Sequence, residues 1–248
     1  MKLSTWNVNG IRAREAQFLE WIAAERPDII CLQEIKASQL QVPPSLLDLN
    51  GYHCYWHGLG GYSGVALHVR KETFPGQPEF FHPDFDFENR IVAVKLPHFI
   101  AASVYVPNGG KDFSAKMRFL EQMEEYVIRM HAEGKTVILS GDINVARADI
   151  DVHPKERKPK AIGQLPEERL LFQRILNHGM ADVCREQNPE NDQLFSWWPP
   201  WRNMRQRNIG WRIDYILASK ALGERCKSCV VEASVGTSDH APVTALFD

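Results

Sequence analysis

Short apolar runs alternate with amphipathic stretches and turn residues along the whole chain, with no low-complexity tract and no repeat of fixed period. Residues 2–6 predict a strand stopped by Asn7, Asn9 and Gly10, and residues 29–32 a short buried strand. Further strands are expected over 52–56, 65–69, 91–94, 101–106, 137–139, 213–217, 230–233 and 243–247. Helical spacing marks 14–26, with Phe18, Leu19, Ile22 and Ala23 on one face and Pro27 ending it, and also 114–132 and 167–178. Roughly ten strands with three substantial helices fit layered α/β better than all-β or all-α. No linker divides the 248 residues, so one domain over 1–248 is expected.

Composition narrows the class. A chain that is 44% hydrophobic and 24% charged is neither disordered nor fibrous, and it is long enough to bury a core without metal or disulfide staples. It has no run of eighteen apolar residues, and MKLSTWNVNG enters a polar turn with no apolar leader, so neither export nor a membrane partner is expected. Five scattered cysteines, an odd number, suit a reducing cytoplasm. Cys226 and Cys229 form one CxxC without a partner pair, a weak signal for zinc or redox chemistry. The net charge of −2 hides an asymmetry: segments 155–160 and 201–212 together carry eight basic residues against one acid, leaving −9 on the rest. A locally basic face can meet a polyanion even when the average is near neutral.

The chemistry gathers at strand ends. Separate apolar runs finish at Asn7, at Glu34, at Asp142 with Asn144, around Asp214, and at Asp239 with His240. Strand ends of one scaffold can converge, and oxygen donors without a zinc-spaced Cys/His set suit a hard cation such as magnesium or manganese. Asp142 and Asn144, two apart, face the same way if the backbone between them stays extended. Each piece alone is also explained by turn chemistry or a solvated surface pair; the combination carries the weight.

The motifs WNVNGIR, LQE, YSGVAL, YVPNG, GDIN with the downstream IDV and LPEER, NIGWRIDY and SDHAP, in this order, resemble exonuclease III-type apurinic/apyrimidinic (AP) endonucleases of the endonuclease/exonuclease/phosphatase superfamily. The resemblance runs from Trp6 to Pro242. LQE and SDH are shared across that superfamily, whereas GWRIDY and LPEER are similar to its DNA-repair branch. The resemblance implies a four-layer α/β sandwich, two mixed β-sheets face to face with helices outside, as in DNase I. It implies Mg2+, with Mn2+ as a substitute, held by Glu34 with Asn7, Asp142, Asn144, Asp239 and His240 around it. Asp142 would activate or orient the attacking water, Asn144 would hold it, and His240 would bind a phosphate oxygen. Asp214 would orient the imidazole, while Tyr105 and Asn108 would complete the phosphate-facing wall.

By the same resemblance, Trp197, Trp211 and Ile213 wall a pocket for a flipped-out abasic sugar, Trp201 wedges into the duplex, and Lys111 enters it near the lesion. Trp198 belongs to the core. Arg12, Arg14, Arg202, Arg205, Arg207 and the basic residues of 155–160 are candidate phosphate contacts, which position a protein without reading sequence. The expected partner is double-stranded DNA with abasic or 3′-damaged sites. The enzyme is expected to work as a monomer in the cytoplasm, associated with the nucleoid if bacterial. The segment KERKPKAIGQ, Arg147 and the rigid WPPW depart from the family pattern, all on the DNA-facing side. They leave open a mainly 3′-5′ exonuclease with weak AP activity; a non-DNA phosphatase of the superfamily is the other alternative.

Overall fold

A computed structural model describes residues 1–248. Twelve strands form two six-stranded mixed sheets: β1 (Lys2–Asn7), β2 (Ile29–Gln33), β3 (Tyr52–His57), β4 (Val65–Arg70), β5 (Glu79–Phe81), β6 (Ile91–Lys95), β7 (Ile100–Tyr105), β8 (Val137–Asp142), β9 (Met180–Asp182), β10 (Asp214–Ser219), β11 (Cys226–Val231) and β12 (Val243–Phe247). One sheet runs β11-β12-β1-β2-β4-β3 and the other β5-β6-β7-β8-β10-β9. β1 with β2 and β7 with β8 are parallel, and the other neighbours are antiparallel.

The central strands read as continuous apolar runs because both faces are covered. Leu3, Ile29, Cys31, Val65 and Leu67 of the first sheet meet Val92, Val94, Ala101, Ile138 and Ile216 of the second between the sheets. The alternate residues turn outward: Trp6, Ile30, Leu32 and Ala66 pack on α1 (Glu15–Glu25). Beyond the short α2 (Pro44–Leu47), α3 (Phe113–Ala132) and α4 (Pro166–Asn177) cover the outer face of the second sheet through Phe119, Met123, Val127, Phe172 and Ile175. This is the four-layer arrangement expected. No helix is long and apolar enough to cross a membrane.

The differences from the expected elements are local. β5 and β9 are three residues each, too short to show a period, and β11 begins at Cys226 rather than 230 because a bulge between Cys226 and Ser228 breaks its alternation. α1 buries Phe18 and Trp21, one turn apart, whereas Ala23 is exposed and Leu19 and Ile22 are half-buried. Trp21 takes the place assigned to Ala23 because its ring packs on Trp6 and its indole N–H reaches Glu232.

Under α1 lies a buried histidine, His68 of β4, packed against Trp56 and Phe18 with neither ring nitrogen hydrogen-bonded. Burial pushes its imidazole down to about 3, and the neighbouring Leu67 backbone offsets this only in part. Below the unfolded pKa of about 6.5 the unfolded chain binds a proton that the folded one refuses, so stability falls as pH falls. The loss is about 1.4 kcal/mol per pH unit in that window, or about 2 kcal/mol between pH 7 and 5. Urea unfolding of His68→Leu at the two pH values should show a correspondingly smaller acid loss than the wild type.

Candidate active site

The polar strand ends converge at one edge. Asn7 ends β1, Glu34 follows β2, and Tyr105 and Asp142 end β7 and β8 in register with each other. Asp214 opens antiparallel β10 directly opposite Asp142. Residues 239–241 precede β12 and lie beside the end of β1, where the Ser238 hydroxyl donates to the Asn7 carbonyl at 2.8 Å. Gly141 lets β8 come this close to β7: it sits at φ +155°, and a Cβ there would collide with the Val104 carbonyl.

Glu34, Asp142 and His240 bring donor atoms within 4.8 Å of one another. Asn7, fully buried, bridges the two carboxylates: its amide nitrogen donates to Glu34 Oε1 and Asp142 Oδ2, each at 2.9 Å. Its amide oxygen accepts from the Asn9 N–H at 3.0 Å. In this geometry the Asn7 amide spaces the two carboxylates. Burial would raise the Glu34 carboxyl, but the Asn7 amide and the Lys36 ammonium, 2.7 Å away, hold it below the usual range.

Asp142 goes the other way. Burial, reinforced by Asp214 and Glu34, lifts its carboxyl to about 7 although His240 and Asn7 pull it down. His240 is also buried, which disfavours its charge, yet Asp214, Asp142 and Asp239 together raise the imidazole to about 10. Its Nδ1 lies 2.9 Å from Asp214 Oδ2, and its Nε2 lies 3.8 Å from Asp142 Oδ2. Ser196 donates to that same Asp214 oxygen at 2.6 Å while accepting the Ile213 and Asp214 N–H groups.

Asp239 stands apart from the three-residue cluster. Its oxygens accept from the Asn9 amide at 2.8 Å and the Trp197 indole at 3.0 Å. Despite burial its carboxyl stays below the usual range, held by His240, Asn9 and Trp197. Asn144 does not continue an extended backbone, as the alternation argument required. It sits at φ +55°, its N–H folds back to Asp142 Oδ1 at 2.9 Å, and its amide N–H donates to the Val106 carbonyl.

A cavity of about 260 Å³ here is lined by residues of two unlike kinds. The polar ones are Glu34, Tyr105, Asn108, Asp142, Asn144, Asp239 and His240, and the apolar ones Ile162, Trp197, Trp211 and Ile213. Burial and the charges of Glu34 and Asp142 keep the Tyr105 phenol firmly protonated, and the Arg90 guanidinium lies 4.8 Å over its ring. Trp197 and Trp211 meet edge to face and pair through their backbones. Gly210 permits that pairing, because a Cβ there would strike the Trp197 carbonyl and the Trp198 indole. Trp198 itself is buried, as expected.

Outside the cavity, Arg12, Lys111, Trp201 and Arg202 are exposed. Arg205 is half-exposed, and its guanidinium donates to the carbonyls of Ala233, Val235 and Ser238 and lies over Trp198, so it anchors the loop leading to Asp239. Arg212 is fully buried between Asp151 and Asp182, so its charge does not reach the basic face.

Several supporting residues escaped sequence reasoning: Ser196, Ile162 and the buried Lys116–Glu168 pair. Lys116 donates to the carbonyls of Asn144 and Asn108, and Glu168 accepts from Gly163 and Leu165, so one ion pair ties three site loops together. Only Glu168 carried a signal, as part of LPEER.

The family described as the endonuclease/exonuclease/phosphatase family matches residues 4–240. An exodeoxyribonuclease of Bacillus subtilis is 36% identical over 256 aligned residues, covering 100% of both chains. The structure of a 3′-5′ exonuclease, NExo, from Neisseria meningitidis superimposes with a TM-score of 0.90 at 34% identity, covering 100% of both. An AP endonuclease structure from Archaeoglobus fulgidus gives 0.89 at 30% identity, covering 100% of this chain and 99% of the other.

Proposed function

The chain belongs to the endonuclease/exonuclease/phosphatase family, and we propose that it is a metal-dependent DNA-repair hydrolase that incises duplex DNA 5′ to an abasic site, with 3′-5′ exonuclease and 3′-end repair activity. The observation that carries this reading is the mixed lining of one cavity: ionisable groups for a phosphodiester together with Ile162, Trp197, Trp211 and Ile213 for a base-free sugar. Extruding a nucleotide costs least where the base is already missing, so an apolar pocket beside the chemistry selects that lesion. The similar proteins named as an exonuclease and an AP endonuclease point to the same pair of activities.

Glu34 would hold the cation, with the Asp142 carboxylate in reach. Carboxylate oxygens, with Glu34 kept ionised, fit Mg2+ and accept Mn2+. When bound, the ion supplies positive charge where the leaving 3′ oxygen becomes an alkoxide. Asp142, poised near neutrality, takes the proton as water attacks phosphorus, and the P–O3′ bond breaks to leave a 3′-hydroxyl and a 5′-phosphate on the abasic residue. Asn144 and Asp142 orient that water. His240, charged and steered by Asp214, donates from Nε2 to a non-bridging oxygen whose charge grows in the transition state. Tyr105 and Asn108 donate to the same phosphate, and Asp239 holds Trp197 against the sugar. Arg12, Lys111 and Arg202 contact backbone phosphates, which makes binding salt-dependent, and the exposed Trp201 wedges into the duplex. One chain supplies every residue of the site, so a monomer suffices; the expected place of work is the cytoplasm.

The exposed basic residues of 155–160 favour a second reading in which 3′-end processing dominates. End-labelled duplexes carrying an abasic analogue, a recessed 3′ end or a 3′-phosphate, assayed beside an inositol polyphosphate, separate the two. Abasic incision should be fastest, 3′ processing measurable, inositol turnover absent, and all cleavage lost in EDTA. Turnover of the inositol polyphosphate with the abasic duplex intact would overturn the assignment.

A further inference from the structure

Two histidines and an aspartate cluster on the side of the molecule where the outermost strands of the two sheets meet. β3 is the last strand of one sheet and β5 the first of the other, and Tyr55 of β3 stacks on Phe80 of β5 at 5.0 Å. His57 ends β3, His82 follows β5, and Asp86 lies in the loop leading to β6. Their donor atoms all fall within 4.8 Å of one another, and none of the three belongs to the catalytic cavity.

The surroundings aim these groups. The Arg90 and Ile91 N–H groups hold Asp86 Oδ1 at 2.8 and 3.0 Å, which leaves Oδ2 directed at both imidazoles, 2.6 Å from His57 Nε2 and 3.8 Å from His82 Nδ1. The Tyr55 hydroxyl lies 2.8 Å from His82 Nε2, an outer contact that fixes the ring with Nδ1 on the side of the carboxylate, where it also lies 3.4 Å from the Ile91 carbonyl. We propose that His57, His82 and Asp86 form a second divalent-metal site, of the zinc class, that clips the free edges of the two sheets together. Bonds of about 2.0–2.1 Å in a tetrahedral site space neighbouring donors by roughly 3.4 Å, and the two distances to Asp86 Oδ2 bracket that value. Two imidazoles with one carboxylate select zinc over magnesium, which takes oxygen ligands. All three side chains keep some exposure, from 13% for Asp86 to 32% for His82, so an ion can enter and a water can complete the shell.

The test uses the chelator-stripped full chain with cobalt(II) as a spectroscopic probe, followed by zinc, in excess magnesium. Wild type and Glu34→Gln should both develop the visible absorption of a tetrahedral cobalt site, and zinc should raise their thermal midpoints by several degrees. His57→Gln and His82→Gln should lose both responses while retaining magnesium-dependent cleavage, which shows that they are folded. No cobalt spectrum in the wild type, or a spectrum and thermal shift that survive both histidine replacements, would overturn the site.

Discussion

Asp142→Asn is expected to cut the single-turnover cleavage rate by about 10³-fold without weakening DNA binding. The substitution keeps the shape, and the single amide oxygen of the new side chain keeps one of the two hydrogen bonds that the carboxylate accepts, from the Asn7 amide at Oδ2 or from the Asn144 N–H at Oδ1. It removes the group that takes the proton from water and lowers the charge that helps keep His240 protonated. Because DNA is an anion, deleting a buried negative charge beside it holds the dissociation constant steady or tightens it. Parallel loss of binding and rate would instead assign Asp142 to the fold. His240→Ala should cost about 10²–10³-fold in the same assay, the range for losing one donor to a developing anion. Rapid-quench cleavage and fluorescence-anisotropy binding on one duplex check both variants.

Arg212→Met should destabilise the protein by about 3–5 kcal/mol, the cost of removing one partner from a buried ion-pair network. The guanidinium is fully buried, donates bidentately to Asp182 at 2.7 and 2.9 Å and to Asp151 at 2.7 Å, and lies 4.4 Å over the Tyr215 ring. Arg185 still reaches Asp151, but Asp182 would lose its two strongest contacts. At this chain length the loss corresponds to a fall of about 10 °C in thermal midpoint. Calorimetry of Arg212→Met, and of the Arg212→Met/Asp182→Asn double variant, checks the mechanism: neutralising Asp182 should recover part of the loss. Cleavage should fall as well, because Arg212 lies between Trp211 and Ile213 of the apolar lining.

What was legible in the sequence follows from how each feature is encoded. Strands β2, β4, β7 and β8, covered on both faces, are mostly apolar runs, and the catalytic groups stand at strand ends: Asn7, Glu34 and Asp142 at or after the ends of β1, β2 and β8, Asp214 and His240 at or before the starts of β10 and β12. Asn7, Glu34, Asp142, Asp214 and His240 could therefore be read as a set before any fold was known. β5 and β9 could not, since three residues show no period. Ser196 and Lys116 were hidden because a buried polar residue acquires its role from partners distant in sequence: Asp214 for the first, Glu168 and the Asn144 carbonyl for the second. Arg205 and Arg212 show the opposite error. A charge count over 201–212 treats four arginines alike, yet one holds loop carbonyls and another is sealed between two aspartates, which leaves a basic face smaller than the sequence suggests. Ile162 completes the apolar lining from a segment whose composition marks only its lysines.

The most direct measurement is the chemistry of the end made on a labelled duplex with one natural abasic site. Metal-dependent hydrolysis on the 5′ side predicts a 3′-hydroxyl that a polymerase extends, formed with magnesium and not in EDTA. An unsaturated aldehyde at the 3′ end, formed equally well in EDTA, would mean β-elimination and would contradict the account.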